Sequence, residues 1–518
     1  MKKTKTILLT VIILAFFLRF FGIEHYPAGF TADEAAQGYT AYSILKTGRD
    51  EWGVPLPISP RSFGDFKPPL YTYLVIPSVA IFGLNEFAVR FPAVIFGTLA
   101  VLATYLLVQE LFFSFRFSIL AAFFLAISPW HISLSRGAFE ANLTTFLLTV
   151  FFWFFLKGLK DSKFFVPSAL MFGLNLFSYH SARLVSPLFL VFLIWWGRKK
   201  LFSKKIHHIF LPSLIFIFFL VLMVSSLFKG GGTRASDVGI FSAKLEAPKL
   251  FIDNYLSYFS LEFLFTKGAK EASYGMIPER GVLYLFELPF LILTFISLAK
   301  RWNKNFLPIL VWLILAPIPA ALSRGVGYHA NRVAIMMPAI QIISAYGFFL
   351  FLSLIPKYKK MIIFLVGLII AISFLWFLWF YFRYFPKISA CAMSYGWRET
   401  IDHLNRIDDK YEKVIVSRKF SEPQAFIAFY KKWDPLDFQK ESQDWLKYQK
   451  EGLKFVDQLD KYNLGKYEFR NIDWKKDKNL EGVLFIGKEG DFPSNEFLTK
   501  RIIPYPDGQP AFLIVERP

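Results

Sequence analysis

Apolar residues recur along the chain in runs mostly of about 17–25 positions, long enough to cross about 30 Å of hydrocarbon as a helix. The pattern predicts eleven spans, at 6–23, 87–110, 117–134, 140–157, 163–180, 184–197, 208–228, 282–299, 306–322, 332–355 and 360–384. One further apolar stretch, "PPLYTYLVIPSVAIFGL" (68–84), opens on two prolines and carries Pro77 in its middle. Counting it as a span would invert the side of every later loop. It is expected to be a re-entrant or interfacial helix.

The polar clusters between the runs sort by side. "MKKTK", Arg116, "KGLKDSK", "GRKKLFSKKIHH", "AKRWNK" and "PKYKK" are short and basic, which assigns them to the cytoplasm. The loops 24–86 and 229–281, the shorter "SRGAFEAN", "SYHSAR" and "SRGVGYHANR", and everything after 385 are longer or mixed in charge and fall outside. With an odd number of spans, the N-terminus is cytoplasmic and the tail extracytoplasmic. A cell membrane, plasma or inner, is the expected location.

After 385 the pattern changes. Charge rises, and short apolar runs such as "KVIVS", "YEFRNI", "GVLFIG" and "FLIVE" read as strands. "YGWRETIDHLNRI" and "PQAFIAFYKKW" read as helices. The expected architecture is an α-helical polytopic membrane domain over 1–384 and a small extracytoplasmic α/β domain over 385–518.

Composition agrees: 55% of the 518 residues are hydrophobic, 63 of them Phe, too apolar for a soluble chain of this size. A net charge of +20 would suit a nucleic-acid binder, but Lys and Arg recur in short clusters between the apolar runs, a placement that marks topology instead. The N-terminal run is long and lacks a small-residue cleavage site, so it is read as a retained span. A single cysteine, Cys391, excludes an intrachain disulfide.

Candidate chemistry gathers in the outer loops. "TADEAAQGYT" places Asp33 and Glu34 together at a helix start. Thr31 and Glu34 have capping-box spacing, so Glu34 has a structural reading beside a catalytic one. Asp33 is not needed for the box and is the better general base. In "FGDFKPPLYTY", Asp65 and Lys67 precede the double proline. A lysine here can snorkel to lipid phosphate, or hold the phosphate of a lipid-linked substrate as a compact charge.

"LSRGVGYHANRV" carries Tyr328, His329 and Arg332. Arg332 is either an interfacial anchor or a bidentate phosphate ligand. Arg136, four residues before Glu140, can pair with it along a helix. Arg136, His180 and Arg183 share the outer side and are expected to contact substrate or support residues that do. "FKGGGTRASD" (228–237) lacks the P-loop pattern and reads as a mobile outer loop.

An acidic pair in the first outer loop, a following "KPPL" and a late "HANRV" before a span resemble the GT-C glycosyltransferases, the aminoarabinose lipid A transferases and protein O-mannosyltransferases among them. The resemblance covers residues 1 to about 384. It implies an inverting transfer of a sugar from a polyprenyl-phosphate donor to an acceptor hydroxyl on a lipid, glycan or protein. Asp33 would then be the base or position the acceptor, with Glu34 beside it. Lys67 and Arg332 would bind the donor phosphate, and Asp65, Tyr328 and His329 would line the pocket. Relatives often place Glu and Lys side by side before the prolines, whereas here Phe66 separates Asp65 from Lys67.

No cofactor is required by this chemistry, no Cys/His set has metal spacing, and a weak divalent site on the acids stays open. Two rivals stand beside it. A transporter or flippase for a lipid or lipid-linked sugar would need ionisable groups near mid-membrane, whereas most charges here lie at span ends. A non-catalytic scaffold has no need of Asp33, Lys67 and Arg332 on one side.

Overall fold

The structure, a computed structural model, describes residues 2–62, 64–231, 239–240, 246–324, 328–354, 359–493 and 500–517. Most of "FKGGGTRASD" and the two glycines of "SRGVGYHANR" lie outside the described residues. The chain forms two compact units, one of residues 1–23 and 93–381, the other of 24–92 and 382–518. The first outer loop thus belongs with the C-terminal segment, so the units do not follow a single cut at 384.

A helix occupies each of the eleven expected segments. In order these are α1 (Lys2–Phe20), α4 (Glu86–Phe112), α5 with α6 (Phe115–Ile127, Pro129–Leu134), α7 (Ala141–Lys160), α8 (Phe165–Leu176), α9 (Ala182–Leu201), α10 (Ile206–Ser226), α12 (Glu287–Lys300), α13 with α14 (Leu307–Leu315, Ile318–Ala321), α15 (Ala339–Leu354) and α16 (Lys359–Trp379). Between them lie α2 (Ala32–Thr47), α3 (Pro69–Phe82) and α11 (Ala247–Ser257). Among the described residues six helical stretches are long and apolar enough to cross a membrane. Of the rest, α8 and α12 are shorter than expected, and the segment of α5 and α6 is interrupted, as are two of the six long stretches. Pro129, Pro317 and Pro338 stand at the interruptions, where a missing N–H and a clashing ring end a helical run.

In the helical unit two arginines close helix ends on each other. Arg19, at the end of α1, donates to Leu125 O and Ala126 O at the end of α5, both at 3.2 Å. Arg136 donates to Leu18 O (2.7 Å) and Phe21 O (2.6 Å) at the end of α1. Carbonyls at a helix C-terminus lack intrahelical donors and carry partial negative charge, which a buried guanidinium satisfies. Helices α12 and α15 touch backbone to backbone: a Cβ on Gly347 would lie 1.8 Å from Phe290 O.

The other unit holds a six-stranded sheet of order β2-β3-β1-β4-β6-β5, with strands β1 (Lys413–Ser417), β2 (Lys461–Leu464), β3 (Tyr467–Arg470), β4 (Val483–Gly487), β5 (Lys500–Pro504) and β6 (Pro510–Arg517). β1 runs parallel to β3 and β4, and the outer pairs are antiparallel. β1 and β4 are buried on both faces, which is why they read as unbroken apolar runs. Strands β2 (KYNL) and β5 (KRIIP) offer only short or partly charged apolar runs and are additions to the four expected strands.

The helices of this segment are α17 (Phe385–Ser389), α18 (Trp397–Ile407), α19 (Pro423–Tyr430), α20 (Pro435–Trp445), α21 (Lys447–Lys450) and α22 (Trp474–Asp477). The first outer loop is fastened to them. Gln439 Nε2 lies 3.0 Å from Ser43 Oγ, Thr47 Oγ1 and Asp50 O. Arg398 and Tyr430 both bind Glu86, at 2.5 and 2.7 Å. Helix α3 buries Tyr71, Val75 and Val79 and exposes Ile81 and Phe82, a one-sided burial that fits its apolar but short sequence.

Candidate active site

Thr31 starts α2 with a complete capping box: Glu34 N–H donates to Thr31 Oγ1 (3.2 Å) and Thr31 N–H to Glu34 Oε2 (3.0 Å). The same carboxylate takes Arg90 Nε at 2.8 Å and Nη2 at 3.1 Å, and neither side chain has any exposed surface. Arg90 also donates to Pro27 O (3.2 Å) and Gly29 O (2.6 Å). Glu34 is thus committed to a buried forked ion pair that fixes the start of α2. Of the two readings the sequence allowed for it, this geometry is the structural one.

Asp33, one residue earlier on the helix, turns the other way and keeps 32% of its side chain exposed. Lys67 Nζ lies 2.8 Å from Asp33 Oδ1 and 3.1 Å from Asp65 Oδ2. The loop that delivers Lys67 is a tight turn: Ser62 N–H donates to Asp65 O (2.8 Å), and Lys67 N–H to Pro60 O (3.0 Å). Gly64 makes the turn possible. It has φ +139°, and a Cβ there would sit 2.3 Å from Lys454 O. Pro68 and Pro69 then start α3 immediately after the lysine, which limits its backbone to one direction. A small cleft beside the pair is lined by Asp33, Gln37, Thr40, Arg61, Ser62 and Lys67.

The structure adds a carboxyl that sequence reasoning missed. Glu422, the residue before α19, interacts with Asp33, Lys67, Asp457 and Asp65. Burial, and then the charge of Asp33, hold it well above the ordinary carboxylate range. Its Oε2 is out of solvent and has no hydrogen-bond partner among the described residues. Its backbone is left-handed, at φ 54° and ψ 50°, in front of a proline, and its side chain does not cap the helix. Such a conformation costs a side-chain-bearing residue about 1–3 kcal/mol. The only sequence signal was an acid at a helix start, which is too common to stand out.

The remaining candidates lie in the helical unit. Tyr328 O–H donates to Glu262 Oε2 (2.9 Å), and His329 Nδ1 is paired with Glu271. Arg332 donates to Ser323 Oγ (2.6 Å) and Arg324 O (3.0 Å). Trp130 Nε1–H holds the loop between them through Ala330 O (3.2 Å). Lys67 and Arg332 therefore belong to different units. His180 and Arg183 flank the start of α9. Arg136, expected near substrate, has no exposed surface and binds the carbonyls that end α1, so its place is structural.

The helical unit also carries an open pocket of about 340 Å³, lined by Trp130, Phe265, Ile277, Ile372, Trp376 and Phe377 among others. Arg280 enters it, stacked over Trp376 (4.8 Å) and Phe380 (5.0 Å). Its Nη1 is buried without a hydrogen-bond partner among the described residues.

The family model for dolichyl-phosphate-mannose-protein mannosyltransferases matches residues 66–224, a stretch that opens one residue before Lys67 and includes Arg90, Arg136, His180 and Arg183. The crystal structure of ArnT from Cupriavidus metallidurans in the apo state is similar across 98% of this chain and 97% of that one, at 13% identity and a TM-score of 0.57. The fold is that of ArnT. The same ArnT bound to undecaprenyl phosphate gives 12% identity, a TM-score of 0.58 and the same coverage. No curated protein matches the chain. The likeness to ArnT extends through the C-terminal α/β segment, beyond the 384 residues that carry the sequence resemblance. The chain is thus a multi-pass membrane protein with the helical-plus-sheet architecture expected of it.

Proposed function

We propose that this protein moves a sugar from a polyprenyl-phosphate-linked donor to an acceptor hydroxyl, with inversion, at the extracytoplasmic face of the cell membrane. The observation that carries the reading is the contact of Lys67 with Asp33 in a chain that matches ArnT along its whole length. Asp33 is the partly exposed carboxylate and takes the acceptor proton as the hydroxyl attacks the anomeric carbon. The lipid phosphate that leaves gains negative charge and needs a cation. Lys67 supplies it. As Asp33 is protonated it loses its hold on Lys67, so the ammonium is released just when the phosphate requires it. Glu34, locked to Arg90, sets the direction in which Asp33 points.

In the helical unit, the pocket lined by Trp130 and Trp376 suits a prenyl chain by its apolar walls, and Arg280 suits an anionic head. Arg332, Tyr328 and His329 form a polar edge of that unit fit to contact phosphate or sugar. The proposal calls on no cofactor. The acceptor, whether lipid, glycan or protein, is to be named by experiment.

The test is mass spectrometry of envelope glycans and lipids from cells with the gene, without it, and with the gene carrying Asp33→Asn. A sugar modification present only with the intact gene supports the reading. Identical envelopes in all three, with the protein expressed and its polyprenyl donor present, would overturn it.

A further inference from the structure

We propose that Arg61 is a second cation of the Asp33–Lys67 site and that, together with Ser62, it binds the phosphate of the polyprenyl lipid beside Lys67. This rests on the reading of Lys67 as a phosphate ligand. Three observations carry it. The first is placement. Arg61, Ser62 and Lys67 line the same cleft as Asp33. They come from one hairpin: Arg61 and Phe66 form an antiparallel bridge, Ser62 N–H donates to Asp65 O (2.8 Å), and Lys67 N–H donates to Pro60 O (3.0 Å). The cleft holds about 10 Å³, room for one oxygen-sized group. A phosphate oxygen fits it, whereas a sugar ring or a prenyl chain does not.

The second is charge. Lys67 lies between Asp33 and Asp65, so one ammonium answers two carboxylates and the trio is left negative. A phosphate meets repulsion there unless another cation joins. Arg61 is such a cation. Among the described residues it has no ion-pair partner. Asp50 feels its charge, but Asp50 Oδ1 accepts from the N–H groups of Trp52 (2.9 Å) and Val54 (2.8 Å). Arg61 packs instead over the rings of Trp52 (5.4 Å) and Phe66 (5.2 Å). Ring contact uses the face of a guanidinium and leaves its N–H edge for an oxyanion, which it grips bidentately.

The third is an unpartnered donor. Ser62 is buried and lines the cleft, and its Oγ has no hydrogen-bond partner among the described residues. Buried hydroxyls are ordinarily bonded, and a phosphate oxygen in the cleft would accept from this one. Arg61 stays charged at any working pH. It therefore holds the lipid phosphate while Lys67 is still shared with Asp33, and both cations serve the phosphate once Asp33 has taken the acceptor proton.

The test uses the full chain in lipid nanodiscs. Undecaprenyl phosphate and undecaprenol are paired probes that differ only in the phosphate, and inorganic phosphate is a third. Arg61→Gln should weaken undecaprenyl phosphate binding by about 10–100-fold, as the loss of a charge-assisted contact does, and leave undecaprenol binding unchanged. Ser62→Ala should lose less, again for the phosphate lipid alone. Arg61→Lys keeps the charge without the fork, so it should recover only part of the loss. If Arg61 merely fastens the hairpin to Trp52, Arg61→Gln lowers the unfolding temperature and weakens both lipids alike, and that result overturns the inference. Should Arg61→Gln not fold, Arg61→Lys decides: a preference for the phosphate lipid equal to wild type overturns the forked contact. A preference lost in Lys67→Ala but kept in Arg61→Gln refutes Arg61 alone. A preference kept in both removes the Lys67 reading, and this inference goes with it. Inorganic phosphate bound more tightly than the lipid, with the same dependence on Arg61, would assign the cleft to free phosphate and overturn the lipid assignment.

Discussion

Lys67 Nζ stands 2.8 Å from Asp33 Oδ1, with Asp65 on its other side at 3.1 Å. The lysine is 9% exposed, so its charge is spent mainly on these two carboxylates. Removing it leaves two acids side by side without their shared cation. Lys67→Ala is expected to weaken donor-lipid binding by about 1.5–3 kcal/mol, the worth of a charge-assisted contact. Equilibrium binding of a polyprenyl-phosphate lipid checks this. Unchanged affinity would remove Lys67 from the phosphate site.

Asp33 and Glu34 are neighbours in sequence with opposite assignments, and substitution separates them. Asp33→Asn keeps the size and leaves the capping box intact. It should fold with wild-type stability, bind donor and lose roughly 10²–10⁴ in turnover. Glu34→Gln also completes a capping box, but it strands the buried Arg90 guanidinium. Breaking a buried pair on one side costs about 3–5 kcal/mol. That variant should lose stability first and activity as a consequence, and pairing it with Arg90→Met should restore part of the loss. A thermally stable Glu34→Gln enzyme with no activity would reverse the two assignments.

How much of this was written in the sequence differs from residue to residue. The helical segments and the capping box at Thr31 follow from local periodicity and spacing, and both are present. Asp65 and Lys67 could be singled out because a tight turn and two prolines lie within a few positions of them. The partner of Glu34 could not, since Arg90 sits at the head of a long apolar helix and reads as an interface marker. Arg136 was open to a pair with Glu140 because helical spacing reveals side chains. It does not reveal the unpaired carbonyls of a distant helix end, which is where Arg136 goes. Glu422 was invisible for the same reason on a larger scale: only the tertiary fold brings α19 against α2, through contacts such as Phe30 with Phe429 at 4.9 Å.

Glu51 gives a pH signature of the first outer loop. It is buried, accepts from Thr40 Oγ1 at 3.3 Å, and is pushed by burial, then by Asp50, from 4.5 to about 8. Between those values the folded protein keeps a proton that the unfolded chain has released. Stability therefore falls as pH rises from 4.5 towards about 8. Glu51→Gln removes this loss. Thermal unfolding followed across that window should show a shallower decline for the variant, with the largest gain in unfolding temperature at the alkaline end. Parallel curves for the two proteins would show that Glu51 is not protonated in the fold.

The single cysteine offers a test of sidedness. Cys391 follows the last expected span, is exposed, and is assigned with the rest of the tail to the extracytoplasmic side. The loop "GRKKLFSKKIHH" is assigned to the cytoplasm by its basic residues, because lysine and arginine near span ends are retained on that side. Ser203 lies in this loop, is exposed, and bonds only to Lys200 O among the described contacts, so cysteine is tolerated there. In intact cells a membrane-impermeant thiol reagent should label the wild-type protein at Cys391. A Cys391→Ser, Ser203→Cys variant should stay unlabelled until the membrane is permeabilised. The two sites must behave oppositely, because an even number of crossings between them would put both on one side. Labelling of Ser203→Cys but not of Cys391 in intact cells would invert the topology and with it the placement of Asp33 and Lys67 on the outer face. Labelling of both would break the count of crossings between residues 203 and 391.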